Sequence, residues 1–431
     1  MRLSVAGLGN PSRPTFTFAR GSRRAFSTRL VQEAIDQNYG TAGQALDVNV
    51  TNMERFPLAP ERYAGTKTNI KKPVEIAYFS YDSDHKLLPF SDVSLKYYYP
   101  AIFNTHHTER NCPIDLSVGF DTFRNRSDSP DEHLDGLLDT LEQLERRQDS
   151  KVDVDVITWR GMMTKILTAP YENEDGFEMN ATCFQDTIFI EENHEYKIAR
   201  DGKQNNFTRK GGPPQEMFMY WGYKFETLSM LPKPWGEVSR DVIEARETEP
   251  VENFSQYCSI VKTGIGSTSI VIGGEVDGVT DYKPDDPEAP PRWVELKTSR
   301  APTSPRDWQI HDKKMLKFWA QSFLLNVPKI VIGYRSRDGF LENLEELETQ
   351  KIPGIIAQHG TFKWNGNTCI NATGAFLQFV KATVRGEGVW RIRRTPGRPE
   401  IEIFKVADSG TSDIIKPSFI AWRREITRYN L

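Results

Sequence analysis

Four side chains near the middle of the chain are of types that could do chemistry together. Glu275 and Asp277 lie two residues apart in one β-prone run, and Glu295 and Lys297 lie two residues apart in the next. Because side chains alternate along a strand, each pair shares one face of its strand. A Pro- and Asp-rich break separates the runs and predicts a hairpin-like pair of strands. The sequence therefore predicts that three carboxylates and one amine converge.

This cluster has the composition of a metal-assisted phosphoryl-transfer site. Hard divalent cations prefer oxygen ligands, and Mg²⁺ typically takes one or two protein carboxylates and leaves positions for water and phosphate. The alternative is a cross-strand salt bridge on a solvated sheet face, in which Lys297 pairs with Glu295 or Asp277, since motifs this short occur by chance. Both motifs are embedded in apolar sequence. Charges in a buried strand need a partner or a metal, and this context favours the metal site.

Two further residues are candidates for the same site. Glu226 ends an aromatic-rich run from Met217 that is predicted as a strand, so it could supply a fourth carboxylate; a solvated Glu at a strand end is the alternative. Arg160 follows a predicted strand over 153–158 and opens a short helix, where a guanidinium can reach a phosphate. A structural ion pair is the alternative for Arg160.

The elements around these motifs can be predicted from periodicity. Residues 129–132 (Ser-Pro-Asp-Glu) have the pattern of a capping box, which gives Glu132 a helix-capping role. The helix that follows carries a leucine stripe until about Arg147. After the central pair, a helix is predicted from Trp308 to Asn326, followed by a strand over 329–334.

The predicted helix from Trp308 has two distinct faces. Its buried stripe is predicted to consist of Trp308, Met315, Trp319 and Phe323. Lys314, Lys317 and Gln321 share a second face that could meet a phosphate backbone.

Composition limits the possible functions. The chain of 431 residues is long enough for one large domain or two. Its net charge is −4 and its pI about 6.1, so no overall basic field indicates nucleic acid, and a phosphate-binding surface must be local. No apolar run is long enough to span a bilayer. Four widely spaced cysteines without metal-finger spacing indicate a reducing compartment.

The N-terminal segment differs from the rest. Residues 1–32 hold six arginines and several Ser and Thr, and no acidic residue precedes Glu33. This composition is typical of a mitochondrial presequence, and the alternatives are a disordered basic tail or an upstream start codon that is seldom used, with Met53 as the working start. The globular part is predicted to begin at Phe56.

The order of the motifs resembles that of a known family. An acidic residue on one strand, Glu-x-Lys on the next, and then a helix and a strand resemble the core of PD-(D/E)xK nucleases. Asp277 and Glu295-Leu296-Lys297 would occupy the motif positions. The wider set closely resembles the DXO family of RNA decapping exoribonucleases over about Phe56 to Trp422. The motifs are Trp-Arg-Gly-x-x-Thr-Lys (159–165), Gly-Tyr-Lys-Phe-Glu (222–226), Gly-Glu-Val-Asp (274–277), Val-Glu-Leu-Lys-Thr-Ser (294–299) and Lys-Phe-Trp-Ala-Gln-Ser-Phe-Leu (317–324).

The resemblance implies a fold and a domain organisation. The expected fold is α/β (α+β), with a PD-(D/E)xK nuclease-like core in which mixed central β-sheets are flanked by helices in a single large domain. Residues 56–431 would form this nuclease domain, and residues 1–55 a presequence-like or disordered extension.

The resemblance also implies roles for individual residues. The metal-binding acids would be Glu226, Glu275, Asp277 and Glu295, with the backbone carbonyl of Leu296 as a further ligand. Lys297 and Gln321 would hold the substrate phosphate and the nucleophilic water. Trp159, Arg160 and Gly161 would contact substrate, as would Glu132, in place of its capping role.

The implied activity is metal-dependent hydrolysis at the 5′ end of RNA with two Mg²⁺ or Mn²⁺ ions. It includes removal of unmethylated caps, NAD caps or pyrophosphate, and 5′-to-3′ exonuclease activity. Fungal members of the family include a protein that binds and stimulates the nuclear 5′-to-3′ exoribonuclease, which implies that partner and a nuclear location. The mitochondrion and the cytoplasm are the alternatives. Competing interpretations are a DNA nuclease of the same superfamily and an inactive partner that only stabilises the exoribonuclease.

Overall fold

The computed structural model describes residues 53–99, 114–126, 130–205, 213–286 and 289–429, which belong to one compact unit that spans Val50–Leu431. Its strands, in chain order, are β1 Glu54–Pro57, β2 Ile70–Tyr81, β3 Leu87–Pro89, β4 Tyr97–Tyr98, β5 Ile114–Asp115, β6 Val156–Trp159, β7 Phe177–Phe184, β8 Thr187–Glu192, β9 Met230–Leu231, β10 Gln256–Ile265, β11 Thr268–Glu275, β12 Gly278–Val279, β13 Trp293–Arg300, β14 Lys329–Arg335, β15 Phe340–Glu348, β16 Val389–Arg394 and β17 Glu400–Ala407.

The α-helices of the described residues lie between and after these strands. They are α1 Asp135–Gln148, α2 Arg160–Thr168, α3 His194–Asn205, α4 Gln215–Ser229, α5 Arg240–Ala245, α6 Pro305–Leu324, α7 Ile352–His359, α8 Gly366–Thr383 and α9 Pro417–Tyr429.

The strands form two mixed sheets. Within the described residues one sheet has ten strands in the order β1-β17-β16-β7-β8-β6-β11-β10-β2-β3, and the other has seven in the order β5-β15-β14-β13-β12-β4-β9. In the second sheet β13 and β14 run parallel and are joined by α6. This is the strand, helix, strand order that the sequence predicts, and the mixed α/β fold class is confirmed.

The chain passes from the first sheet to the second at the acidic motif. β11 pairs with β10 and β6 in the first sheet, whereas β12 pairs with β13 in the second. The predicted hairpin is therefore correct only for β12 and β13. β11 is a central strand because its run from Ile270 to Ile272 is buried on both faces and needs cover on both sides.

Helix α6 begins at a well-defined cap. The Ser304 side chain accepts a hydrogen bond from the Asp307 amide, and the Asp307 side chain accepts one from the Ser304 amide. Met315 and Trp319 are buried as predicted. Trp308, predicted in the same stripe, is 40% exposed, because it lies in the first turn, and Phe323 is half-buried.

The run from Met217 to Glu226 was predicted as a strand, and this is wrong. It lies in helix α4, and its buried residues Tyr220, Trp221, Phe225 and Leu228 recur at helical spacing. Aromatic residues favour strands, but burial of one helical face outweighs that preference. The polar stretch from Glu192 to Pro214 contains helix α3.

The predicted capping box at residues 129–132 is also wrong. Helix α1 begins only at Asp135, and its N-cap position is Leu134, without a side-chain cap. Ser129 lies outside the described residues. The leucine stripe of α1 is confirmed: Leu137, Leu138, Leu141 and Leu144 are buried, because they lie on the face that packs on the first sheet.

Residues 1–52 lie outside the described residues, so the presequence-like extension stays a prediction. Strand β1 begins at Glu54 and pairs residue by residue with β17. The described part of the first sheet therefore includes Glu54 and Arg55, which precede the predicted boundary at Phe56. None of the helices in the described ranges is both long and apolar enough to cross a membrane.

Candidate active site

Four acidic side chains meet where the two sheets join. Glu275 is the last residue of β11, Asp277 lies in the link to β12, and Glu295 lies on β13. Glu226 comes from helix α4, which packs on β13. Glu226, Glu275 and Asp277 line one cleft with a volume of about 440 Å³. The fold thus brings together the acids that the sequence singled out.

Two glycines allow β11 to approach helix α2 closely. A Cβ atom on Gly273 would lie 2.8 Å from the Trp159 ring, and one on Gly274 would lie 2.8 Å from Arg160 Cβ. Such distances are shorter than real Cβ contacts, so both positions need glycine. This close approach places Arg160, the first residue of α2, beside the carboxylates.

Glu295 is fully buried and is held by two cations. Arg160 Nη1 donates to Glu295 Oε2 at 3.1 Å, and Lys297 Nζ lies 2.6 Å from Glu295 Oε1. The salt bridge considered as an alternative for Lys297 is present, but its carboxylate is inside the protein rather than on a solvated face. Arg160 also makes the ion pair that was its alternative. Both cations are thereby positioned at the cleft.

Asp277 is tied to the neighbouring strand. The Leu296 backbone N–H donates to Asp277 Oδ2 with an N to O distance of 2.6 Å. This bond fixes the carboxylate against β13 and brings the Leu296 peptide, predicted to supply a metal ligand, next to it. Glu275 accepts a long hydrogen bond of 3.5 Å from Gln256 Nε2.

The acids at the cleft raise one another's pKa values. Burial and the charges of Asp277 and Glu275 raise the pKa of Glu226 well above its usual range. Burial, followed by the Glu295 charge, raises the pKa of Asp277 to about 7. Burial also raises the pKa of Glu275, against the opposing effect of Arg160. For Glu295, burial acts in the same direction, but Arg160 and Lys297 together lower its pKa.

The donor set suits a hard divalent cation. Carboxylate oxygens are the ligands that Mg²⁺ and Mn²⁺ prefer, and mutual repulsion among buried acids is what a cation relieves. In the described part of the chain no three His, Cys, Asp or Glu side chains are gathered into a ready ligand set. Glu295 pairs with two protein cations, Arg160 and Lys297. Bound metal would therefore compete with Arg160 and Lys297 for that carboxylate.

A second cavity of about 750 Å³ holds most of the other predicted substrate contacts. Glu132, Trp159 and Gly161 line it together with His133 and Glu191. Glu132 does not cap a helix but contacts Arg126 and His85. Because Arg160 lies between Trp159 and Gly161 in sequence, helix α2 connects this cavity to the acidic cleft.

The second face of α6, predicted to meet a phosphate backbone, is only partly free to do so. Gln321 is half-buried, and within the described ranges it has no hydrogen bond to the acids of the cleft. Lys317 pairs with Asp175 at 2.5 Å and with Glu172 at 3.1 Å, so its charge is already matched by protein carboxylates. Lys314, the third predicted member of this face, donates to Ser299 Oγ at 3.3 Å and has no carboxylate partner among the described residues. The predicted basic face is therefore ion-paired at Lys317 but not at Lys314.

Lys96 and Gln256 line the acidic cleft and are missed by the sequence analysis. Lys96 immediately precedes a strand of only two residues, too short to show periodicity. Gln256 begins β10, whose Cys258 pairs with Glu275. Gln256 could have been placed at the site only from the pairing of β10 with β11, which the local sequence does not reveal.

The fold and this constellation define a nuclease of the PD-(D/E)xK class. A family model described as RAI1-like PD-(D/E)XK nuclease matches residues 71–420, and the chain belongs to this family. It is 48% identical to the decapping nuclease RAI1 of Neurospora crassa over 384 residues, which cover 89% of this chain and 90% of the relative. It is 50% identical to that of Aspergillus fumigatus over 363 residues, 84% of this chain and 96% of the relative.

Solved structures agree with this assignment. Candida albicans Rai1 in complex with pU5 and Mn²⁺ has a TM-score of 0.78 and 30% identity and covers 87% of this chain and 100% of its own. Scheffersomyces stipitis Rai1 in complex with (3′-NADP)⁺ and calcium has a TM-score of 0.76 and 28% identity, with 86% and 100% covered. The chain is therefore a hydrolase of a family of RNA decapping nucleases.

Proposed function

We propose that this protein hydrolyses phosphate linkages at the 5′ end of RNA. The observation that carries the proposal is that Glu226, Glu275 and Asp277 line one cleft between the two sheets. The buried Glu295, with its partners Arg160 and Lys297, lies beside them. Metal-assisted phosphoryl transfer requires several carboxylates to bind the metal ions and nearby positive charges to stabilise the phosphate, and this site has both. The ligands of the two Rai1 structures, an oligonucleotide and a dinucleotide cofactor, support a 5′-end substrate.

Each residue has a defined task in this proposal. Glu226, Glu275, Asp277, Glu295 and the Leu296 carbonyl would hold two Mg²⁺ or Mn²⁺ ions. Such ions would supply an activated water and would neutralise negative charge on the leaving oxygen. Lys297 and Gln321 orient the substrate phosphate and the attacking water. Trp159, Gly161 and Glu132 contact the 5′-terminal group in the adjoining cavity.

The substrates are RNAs with unmethylated caps, NAD caps or 5′-triphosphates, and the enzyme also removes successive nucleotides in the 5′-to-3′ direction. All of these reactions break a phosphate linkage near the 5′ end, so one site can serve them by holding a different phosphate. They therefore depend on the same carboxylates.

The test is to incubate the protein with GpppN-capped, methyl-capped, NAD-capped and 5′-triphosphate RNAs and to identify the released products by chromatography. Mg²⁺, Mn²⁺ and EDTA are compared, single-stranded and duplex DNA serve as competing substrates, and the Asp277→Ala protein is the blank. Release of cap dinucleotide, pyrophosphate or NAD only with metal supports the proposal. Folded protein that releases nothing is a binding partner, and preferential cleavage of DNA indicates a DNA nuclease.

We also propose that the protein binds a nuclear 5′-to-3′ exoribonuclease and acts in the nucleus. Products with a 5′-monophosphate are what such an enzyme would consume, so pairing the two activities is chemically consistent. Co-purification with the exoribonuclease and an increase in its rate would support this partnership. The full chain and a form that starts at Met53, each with a C-terminal fluorescent tag, should both be nuclear; a mitochondrial signal from the full chain alone would point to the basic N-terminus as a targeting segment.

A further inference from the structure

A basic triad, formed by Arg300, Lys314 and Arg335, lies at the carboxyl ends of strands β13 and β14. Arg300 ends β13 and Arg335 ends β14, and the two are partners in the parallel register, so their side chains start from adjacent backbone positions. Lys314 of helix α6 donates to Ser299 Oγ at 3.3 Å, next to Arg300 in the chain. Arg300 lies five residues beyond Glu295 on β13, which separates it from the buried acid by about 16 Å.

Protein carboxylates neutralise only one member of the basic triad. Arg300 pairs with Asp307, whose carboxylate also accepts hydrogen bonds of 3.1 and 2.8 Å from the Ser304 amide and hydroxyl. Within the described ranges no carboxylate lies within ion-pair distance of Lys314 or Arg335. The triad therefore has two positive charges that no described acid matches.

Arg335 is held in a fixed orientation by the aromatic face of helix α4. Its guanidinium carbon lies 4.3 Å from the Trp221 ring centre and 5.3 Å from the Phe218 ring centre. Nη1 donates to the Ser336 carbonyl oxygen at 3.1 Å, and Nε has no hydrogen-bond partner among the described residues. Stacking on aromatic rings orients a guanidinium without neutralising its charge. This cation is therefore placed in advance for an anionic ligand.

The pKa values of the basic triad show repulsion among its members. Burial and then the charges of Arg335 and Arg300 lower the pKa of Lys314. Burial and then the Arg300 charge lower the pKa of Arg335 from 12.5 to about 10. For Lys317 on the same helix burial also lowers the pKa, but its contact with Asp175 raises it above the usual range. Like charges that are gathered without an acid destabilise the folded protein until an anion binds.

A phosphate group matches the basic triad in charge and in hydrogen bonding. It carries close to two negative charges at neutral pH and has three strong acceptor oxygens. One phosphate can therefore accept hydrogen bonds from an ammonium and a guanidinium together, whereas a single carboxylate would leave one positive charge unmatched. The carboxyl ends of parallel strands are also the usual place for ligands in α/β sheets.

We propose that the basic triad binds the phosphate group of a small ligand, either an inorganic phosphate or a mononucleotide, at a site separate from the acidic cleft. The inference goes beyond the proposed function and does not require hydrolysis. Pyrophosphate and mononucleotides are products of the proposed reactions, so such ligands would form close to the triad. Without metal the acidic cleft repels anions and the triad attracts them, which allows the two sites to be measured separately.

The test uses the full-length protein in EDTA at constant ionic strength. Pyrophosphate, phosphate and uridine 5′-monophosphate are titrated by calorimetry, and urea midpoints are measured with and without pyrophosphate. Lys314→Met should bind pyrophosphate about tenfold more weakly than the wild type, as expected for one charge-assisted contact. Without anion its urea midpoint should be higher, because it loses a repelling charge and keeps an apolar stem. Pyrophosphate should raise the midpoint of the wild type more than that of the variant.

Lys317→Met is the matched control on the same helix. Lys317 is ion-paired with Glu172 and Asp175, so this variant should retain pyrophosphate binding and have a lower urea midpoint. Both effects are opposite to those of Lys314→Met. Arg335→Gln should weaken pyrophosphate binding as Lys314→Met does, since the two cations share one ligand.

The affinities of the wild type and the variants decide the outcome. Equal pyrophosphate affinity in the wild type and Lys314→Met would overturn the inference. Binding of a 5′-phosphorylated pentauridylate but of none of the three small anions would also overturn it, because the triad would then belong to an RNA surface. If the triad binds its ligand, tighter binding of uridine 5′-monophosphate than of phosphate identifies a nucleotide, and equal binding identifies an inorganic phosphate.

Discussion

Two buried ionic clusters in this protein are built in opposite ways. Between helices α1 and α9, Glu145 and Arg423 are both fully buried and lie 2.6 Å apart. Glu145 also accepts hydrogen bonds of 2.9 Å from the Val152 amide and the Trp422 indole. At the acidic cleft, Glu226, Glu275 and Asp277 lie beside one another. Of the cations near them, Arg160 and Lys297 both pair with Glu295, and Lys96 adds a third positive charge.

The difference shows which cluster serves stability and which serves chemistry. One acid matched to one cation, with its oxygens hydrogen-bonded, is a closed structural unit. At the cleft the acids are in excess, and burial and their mutual repulsion raise their pKa values. Their ionised forms therefore destabilise the folded protein until a cationic ligand binds. Substitutions in the two clusters should therefore have opposite consequences for activity and stability.

Asp277→Ala should cause the largest loss of activity of these variants and should have little effect on stability. We expect all 5′-end activities to fall together by about a thousandfold or more, because the acid is positioned for the reacting charge. The free energy of unfolding without metal should change by less than about 1 kcal/mol, since removal of a repelling charge offsets the lost bond from Leu296. Product release and urea denaturation measure the two quantities.

Glu295→Ala sharpens that result. This change leaves Arg160 and Lys297 without their shared carboxylate, so it should reduce stability as well as activity. Loss of one 5′-end activity with retention of the others in either variant would contradict a single site.

Glu145→Ala is the mirror case. Because it leaves the Arg423 guanidinium buried without its acid, we expect unfolding to become easier by about 3 to 5 kcal/mol, while turnover at a temperature where the protein is folded stays unchanged. The matched control is Glu142→Ala on the same helix, which removes only an i,i+4 pair with Arg146 and should cost about 0.5 kcal/mol or less. Equal midpoints in urea for the two variants would show that the buried pair is not a structural unit.

A third ionic cluster allows a pH test. Glu172 is 5% exposed, lies 3.1 Å from both Lys313 and Lys317, and accepts a hydrogen bond from the Glu174 amide. Burial opposes its ionisation, but the Glu174 amide and the two lysines lower its pKa from 4.5 to about 2. A lowered folded-state pKa stabilises the protein above the unfolded value, and this contribution is lost as the pH falls from 4.5 through 2.

The difference in unfolding free energy between Glu172→Gln and the wild type should therefore be smaller at low pH than near neutral pH. We expect the variant to be less stable by up to about 3 kcal/mol at pH 6 and by about 1 kcal/mol at pH 3, measured by urea denaturation at both values. A difference that is the same at both pH values would mean that the folded-state pKa is not lowered.

The acidic motif could be predicted from the sequence because its chemistry is local. Glu295 and Lys297 share a strand face through simple alternation, and Arg160 lies at a boundary between a strand and a helix, as the change of period indicates. The remaining geometry depends on pairing between distant segments. That β11 and β12 belong to different sheets follows from burial of β11 on both faces, which short-range patterns do not reveal.

Helix α4 and Lys96 show two different limits of sequence analysis. The run before Glu226 has the composition of a strand, and only its packing against β13 and its neighbours makes it a helix. Lys96 reaches the cleft through the parallel pairing of Tyr97 with Val279, a long-range contact with no counterpart in local sequence. Its position became evident only once the two sheets were in place.

Substitution of Lys283 tests whether contacts outside the acidic cleft stabilise the junction between the two sheets. It lies between β12 and β13, with its Nζ 3.5 Å from the Tyr78 ring centre and 2.6 Å from both Glu75 Oε1 and the Tyr257 hydroxyl. These partners belong to the first sheet, so the contact ties that sheet to the segment between Asp277 and Glu295. Lys283→Met should cost about 1 to 2 kcal/mol of unfolding free energy, mainly through the lost cation–π contact and ion pair.

The same change should also weaken metal binding, because the junction positions acids from both sheets. We expect a loss of Mn²⁺ affinity of a few-fold by calorimetric titration, since supporting contacts typically contribute about tenfold or more when they touch a ligand directly, and Lys283 does not. Arg292→Met in the same segment removes only an exposed pair with Asp281 and should leave both quantities close to wild type. If Lys283→Met lowers stability but leaves Mn²⁺ affinity unchanged, the acidic cleft is positioned by its own contacts, above all the Leu296 bond to Asp277, and not by the Lys283 contacts that connect the two sheets.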